Sequence, residues 1–190
     1  MSRLEENIEE ARACFAGLIA LSDGVDRAVA LIADTVCGGG VVLTGGNGGS
    51  AADAMHFSTE LICRFERERR PYRSICMNAS GGDLTAISND YTYADVFARQ
   101  VHAFAAAGDL VIGLSTSGNS PNVVAALKAA RQTGAASIAL LGRDGGDARG
   151  LATLDLCVDG PTTARVQEAH QLLIHTLCGA VEDEVARREA

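Results

Sequence analysis

Leu110-Val111-Ile112-Gly113-Leu114-Ser115-Thr116-Ser117-Gly118-Asn119-Ser120-Pro121 is the stretch that decides the fold. It opens with an apolar run without alternation, which suits a strand buried on both faces. Four hydroxyls follow within the six residues 115–120. Ser120 suits a helix N-cap and Pro121 the first helical position, so a helix is expected over 121–134. Strand, polar loop and helix in that order are the repeating unit of a parallel α/β sheet. A helix N-terminus offers unpaired N–H groups and a positive dipole end, which suit an anion. One hydroxyl suffices for a plain cap, so four in this place point to a phosphate group.

The same unit recurs outward from this stretch. Candidate strands are 41–44, 73–77, 137–141 and 154–158. Helical segments are expected near 50–65 and 92–107, with a short one at 145–152 and a long one from Thr163 to Arg188. Before the first strand lie two helices. Ser2 and Glu5 have the spacing of a capping box, and Ser22 is placed to cap the second helix. Gly38-Gly39-Gly40 stops that helix after Cys37. Strands alternating with helices give a parallel sheet covered on both sides, with ligands at the carboxyl ends of the strands.

The loop after the first strand is Gly45-Gly46-Asn47-Gly48-Gly49-Ser50. Its glycines let the backbone approach a ligand closely, and Ser50 is placed to cap the next helix. It is not a dinucleotide fingerprint, because the GxGxxG spacing and the downstream acid are missing. Two ligand-type loops on separate strands fit a phosphosugar.

Composition narrows the class. The chain has 190 residues, enough for one domain with a full core. Its formal net charge of −8 leaves no basic stripe for nucleic acid. No apolar run approaches the roughly 20 residues that span a bilayer. The acidic N-terminus is no signal peptide, and a cytoplasmic setting is expected. Cys14, Cys37, Cys63, Cys76, Cys157 and Cys178 contain no CxxC pair and are expected to be reduced and mostly buried.

Several motifs together resemble the phosphoheptose isomerases of the SIS superfamily. They are the glycine-rich loop 45–50; Asp53-Ala54-Met55-His56-Phe57 with Glu60; the serine loop 115–120; and Arg165-Val166-Gln167-Glu168 with His175. The resemblance covers essentially the whole chain. It implies one domain over 1–190, with helices 1–38 used in oligomer packing and an α/β core at 39–190. The implied fold is a three-layer sandwich, with a five-stranded parallel sheet flanked by helices in a flavodoxin-like arrangement. It further implies a homotetramer with active sites between subunits, and an aldose–ketose isomerisation with one Zn2+ per site. The substrate would be D-sedoheptulose 7-phosphate, converted to D-glycero-D-manno-heptose 7-phosphate for ADP- or GDP-heptose precursors. Carried onto this chain, the zinc ligands are His56, Glu60, Gln167 and His175. Phosphate falls to Ser115, Thr116, Ser117 and Ser120. Sugar contacts fall to Asn47, Ser50, Arg64, Asp90 and Gln167. Some members carry an aspartate where this chain has Ala164. The rival readings are a SIS-fold binding protein of the replication-initiator-associating type, which is expected to lack the helix glutamate, and an isomerase for another sugar phosphate.

Residue chemistry sharpens this picture. His56 and Glu60 leave the same helix face. An imidazole, a carboxylate and an amide oxygen are acceptable to zinc. Gln167 and His175 are separated by about 12 Å of helix rise and roughly 80° of rotation. Either the helix starts after Gln167 or the two ligands come from different subunits, the second being favoured; His170 and Gln171 are nearby alternatives. The isomerisation moves a proton between adjacent carbons, with Glu60 as base and His175 as partner acid. A carboxylate on zinc is a weaker base, so either Glu60 swings off the metal or His175 carries the proton instead. Arg64 is a substrate contact or a surface ion pair, Asp90 a sugar contact or a turn cap. Cys63 is expected in the core, and 67–70 as a solvated loop.

Overall fold

In the computed structural model, which describes residues 1–190, five parallel strands form one sheet. The strands are β1 (Val42–Gly46), β2 (Ser74–Cys76), β3 (Leu110–Ser115), β4 (Ala136–Gly142) and β5 (Leu154–Val158). They lie in the order β2-β1-β3-β4-β5. The helices are α1 (Arg3–Gly17), α2 (Ser22–Cys37), α3 (Gly49–Ile62), α4 (Gly81–Asp90), α5 (Val96–Phe104), α6 (Pro121–Thr133) and α7 (Thr163–Glu189).

Alternate strand residues feed two cores, giving three layers. Val42, Leu110, Ile112, Leu114, Ile138 and Leu140 pack with α2, α3 and α7 on one face. Leu43, Val111, Ala139 and Leu141 pack with α5 and α6 on the other. Phe57 and Phe97 anchor the two cores and are fully buried, each contributing roughly 1.5–3 kcal/mol by burial. β1 and β3 are neighbours although β2 lies between them in sequence. The chain therefore winds in opposite directions from these two strands, and a crevice opens at their carboxyl ends.

Some local expectations change. The Ser2–Glu5 capping box is present. Ser22 is instead the first residue of α2, and its hydroxyl donates to the Ile19 carbonyl. The expected helix over 92–107 is shorter, and α4 precedes it, built from a glycine pair followed by polar residues that hide the helical period. The expected helix at 145–152 is only a 3-10 turn, Gly146–Ala148. Of the cysteines, only Cys14 and Cys178 are buried, while Cys37 and Cys63 are exposed. Cys63 follows the last residue of α3, where the chain leaves the core. The 67–70 segment is not simply solvated, because Arg69 is nearly buried.

Candidate active site

The glycine-rich loop leaves β1 and enters α3. Gly48 has φ +57° and is the N-cap, so Ser50 lies inside the first turn, buried, rather than capping it. Glycine takes a backbone conformation here that serine resists. Asn78, after β2, holds the loop with both ends of its amide. It accepts from Gly46 N–H at 3.1 Å and donates to the Gly46 carbonyl at 2.9 Å.

The serine loop leaves β3 and enters α6. Ser120 is the N-cap and Pro121 the first helical residue, but the Ser120 hydroxyl does not cap. It meets the Ser115 hydroxyl at 3.0 Å instead. Gly118 N–H donates to Ser115 Oγ at 3.1 Å, and Asn119 N–H to Ser117 Oγ at 3.1 Å. The backbone N–H groups of Thr116, Ser117 and Ser120 have no backbone partner. Three free amides beside hydroxyls at a helix N-terminus suit an anion. Gly118 has φ +68°, and a Cβ there would collide with the Gly145 carbonyl. The loop 142–146 thus packs against the serine loop and sets its shape; Asp147 N–H donates to Asn119 Oδ1 at 2.9 Å.

A second cluster of polar groups lies between α3 and α7. His56 Nε2 and His175 Nε2 are 3.0 Å apart. Glu60 Oε1 is 3.6 Å from His56 Nε2. The Gln171 amide is 2.9 Å from His175 Nε2. His175 Nε2 thus faces two side chains, while one ring nitrogen carries a single proton or a single lone pair. A cation among these groups would remove that conflict. Two ligands at tetrahedral zinc, with bonds of about 2.0–2.1 Å, lie roughly 3.4 Å apart, close to the imidazole spacing seen here. As the side chains stand, no three His, Cys, Asp or Glu groups close on a common point. Imidazole, carboxylate and carboxamide are donor types that zinc accepts.

Gln167 is elsewhere. A Cβ on Gly49 would collide with its amide, so Gln167 lies against the glycine-rich loop. α3 and α7 run parallel: Gln167 sits beside Gly49, His175 beside His56, and Glu182 beside Phe65. α7 is continuous through Gln167 and His175, which removes the possibility that the helix starts between them. Within one chain, Gln171 is the glutamine that touches His175.

Two further groups surround the pair. The buried Asp53 Oδ2 has no hydrogen-bond partner. Burial pushes this carboxyl up, and nearby His56 pulls against that shift. The Phe65 ring stacks on His175 at 5.5 Å between centroids. Glu182, 2% exposed, accepts from the N–H groups of Phe65, Glu66 and Arg67 at 2.8–2.9 Å and from Arg69 Nε at 2.9 Å. Burial pushes the Glu182 carboxyl up, but these donors outweigh it and hold it below its ordinary value. Arg69 in turn donates to the Glu60 carbonyl at 2.7 Å and the Leu61 carbonyl at 2.9 Å, capping the C-terminus of α3. Phe65 and Glu182 carry no sequence signal, because their contacts join segments far apart in the chain.

The remaining expected residues are peripheral in one chain. Arg64 is exposed and pairs with Glu68 at 3.7 Å. Asp90 ends α4 and accepts from the Asn89 amide at 2.9 Å. His170 is fully buried and contacts the Leu141 carbonyl at 3.0 Å; burial lowers its pKa and the hydrogen bond opposes that. Burial pushes the Cys178 thiol up to about 12, with Glu60 and Glu182 adding to it, so it stays protonated.

A five-stranded parallel sheet with a switch-point crevice and a hydroxyl-rich loop at a helix N-terminus defines the SIS class, and the SIS domain family matches residues 7–142. A phosphoheptose isomerase from Citrifermentans bemidjiense is 50% identical over 165 residues, covering 87% of this chain and 86% of that protein. The structure of phosphoheptose isomerase from Neisseria gonorrhoeae superposes with a TM-score of 0.89 at 37% identity, covering 95% of this chain and 97% of that one. One from Francisella tularensis gives a TM-score of 0.91 at 30% identity, covering 96% and 100%. The chain belongs to the phosphoheptose isomerase family of SIS-domain proteins.

Proposed function

We propose that this isomerase converts D-sedoheptulose 7-phosphate to D-glycero-D-manno-heptose 7-phosphate, as a precursor of activated heptoses, with one Zn2+ per site. The observation that carries this reading is the meeting of His56 and His175 beside Glu60, in a domain that also holds the serine cradle. The 7-phosphate lies on Ser115, Thr116, Ser117 and Ser120, and Asn47, Ser50 and Gln167 line the glycine-rich loop for the sugar. His56, Glu60 and His175 would hold the zinc with one α7 carboxamide: Gln167 by the resemblance, Gln171 by contact. When bound, zinc supplies Lewis acidity at the sugar carbonyl.

The chain's own groups move the proton. With the sugar in its open form, Glu60 takes a proton from the carbon beside the carbonyl, leaving an enediol. His175 is the partner acid at the oxygen, a role open to it only with Nε2 off the metal, since a coordinated ring nitrogen has no proton to exchange. The carbon proton returns to the neighbouring carbon. General acid–base catalysis of this kind contributes typically 10²–10⁴-fold per group. Phe65 covers one face of His175 and limits water there.

Several features support assembly and setting. Leu4, Ile8, Phe15, Ile19 and Leu172 are exposed apolar residues on α1, the turn after it and α7. A groove of about 390 Å³ runs between Phe15, Leu18, Ile19, Leu172 and Leu173. This face suits packing into a homotetramer, which would bring Arg64 and Asp90 to a neighbour's site. All six cysteines are free, which suits a cytoplasmic, reducing setting. No helix is long and apolar enough to cross a membrane.

The test is incubation of purified protein with sedoheptulose 7-phosphate, with zinc and with chelator. Formation of the aldose with zinc and its loss with chelator are expected. Absence of aldose under zinc-replete conditions would remove the assignment. Metal affinity of Gln167→Ala and Gln171→Ala tells which amide is the ligand.

A further inference from the structure

Asn47 and Asn122 face each other as a reciprocal pair of carboxamides. Asn47 Nδ2 donates to Asn122 Oδ1 at 2.8 Å, and Asn122 Nδ2 donates to Asn47 Oδ1 at 2.9 Å. The Tyr93 hydroxyl donates to the same Asn47 Oδ1 at 2.9 Å. Asn122 is 1% exposed, and its Oδ1 also accepts from Val123 N–H at 3.0 Å. That backbone donor fixes which end of Asn122 is oxygen, since an N–H requires an acceptor. Asn122 then fixes Asn47, and Tyr93 reinforces the choice with a second donor to the same oxygen.

A carboxamide oxygen accepts two hydrogen bonds and its nitrogen donates two. On Asn47 both acceptor positions are filled, and one N–H is used on Asn122. A single N–H is left. We propose that Asn122 and Tyr93 are positioning residues that lock the Asn47 carboxamide in one orientation, so that it meets the bound sugar phosphate only as a donor to an oxygen. The proposal rests on the reading of Asn47 as a substrate contact. The same lock ties the glycine-rich loop to the first turn of α6, so the two walls of the crevice keep a fixed spacing. A buried polar network that is fully satisfied is rigid in this way, and leaving one member unpaired is costly.

A double-mutant cycle tests it, with KM and kcat for sedoheptulose 7-phosphate as readouts. Tyr93→Phe is expected to raise KM about 3–10-fold, with kcat within about twofold of wild type, as loss of one hydrogen bond predicts. Its melting temperature should not move, because Tyr93 is 55% exposed. In an Asn47→Ala background the same substitution should have no further effect on KM, and likewise Asn122→Ala. An equal effect of Tyr93→Phe with and without Asn47, or no effect at all, overturns the proposal. Should Asn122→Ala not fold, the Tyr93 arm decides. A second readout needs no turnover: exchange of the Asn47 side-chain amide, followed by NMR on asparagine-labelled protein. Tyr93→Phe should speed that exchange several-fold, and unchanged exchange also overturns the lock. If the wild type does not turn over sedoheptulose 7-phosphate, the functional reading falls and the exchange experiment still judges the lock.

Discussion

His56 and His175 stand 119 positions apart in the chain, yet their Nε2 atoms are 3.0 Å from each other. One is on α3 and the other on α7, and the parallel packing of these helices makes the meeting. Glu60 is the next turn of α3. Either histidine replaced by alanine should weaken zinc binding by more than about 100-fold, since losing even an outer partner of a metal ligand costs 10–100-fold. Competition titration against a chelator measures this directly.

Glu60→Gln keeps the side-chain shape and removes the proposed base. Turnover should fall by roughly 10²–10⁴-fold while the melting temperature stays near wild type. Full turnover in this variant would transfer the base role to His175.

The serine loop separates binding from folding. Ser117→Ala should raise KM for the sugar phosphate roughly 10-fold, because hydrogen bonds to charged groups are the stronger kind. Gly118→Ala should instead lower the yield of folded protein, since its methyl group would collide with the Gly145 carbonyl and its φ of +68° disfavours alanine. Steady-state kinetics and thermal unfolding distinguish the two outcomes.

Glu182→Gln should destabilise the chain at pH 7 by on the order of 3 kcal/mol, because it leaves the Arg69 charge nearly buried and unpaired. The Glu182 carboxyl is held below its ordinary value in the folded chain. A lowered folded pKa gives stability that is complete above the unfolded value, about 4.3, and is lost as pH falls through the folded one. The gap between wild type and variant should therefore be constant near neutrality and shrink below about pH 4.3. Urea unfolding at several pH values checks the sign.

Phe15→Glu places a charge in the apolar groove between α1 and α7. It should dissociate the proposed tetramer and reduce activity with it. Sedimentation velocity and activity across a dilution series test both together.

The sheet was legible because its strands are short apolar runs between glycine and polar punctuation. Each of the five expected strands lies within a few residues of the observed one. α4 was not legible, because Gly81, Gly82, Ser88 and Asn89 break the apolar period that marks a helix. At the site, loop composition pointed to the serines, while His56, Glu60 and His175 were carried over by the family resemblance. Gln167 and Gln171 are one turn apart on α7, and spacing cannot say which amide meets the imidazoles. The Asn47–Asn122 pair and the Phe65–Glu182 bond each join residues far apart in the chain. Neither leaves a local pattern to read.

The acceptance of Phe65, Glu66 and Arg67 N–H groups by Glu182 ties the last turns of α7 to the end of α3, the helix that carries the proposed base. A truncation ending at Val181 would remove the acceptor for those amides and free Arg69 from its partner. Arg69 would then hold the Glu60 and Leu61 carbonyls less firmly, and the stacked ring of Phe65 would lose its backbone tether. Variants lacking the nine residues 182–190 should therefore fold poorly and turn over slowly even with every proposed ligand intact.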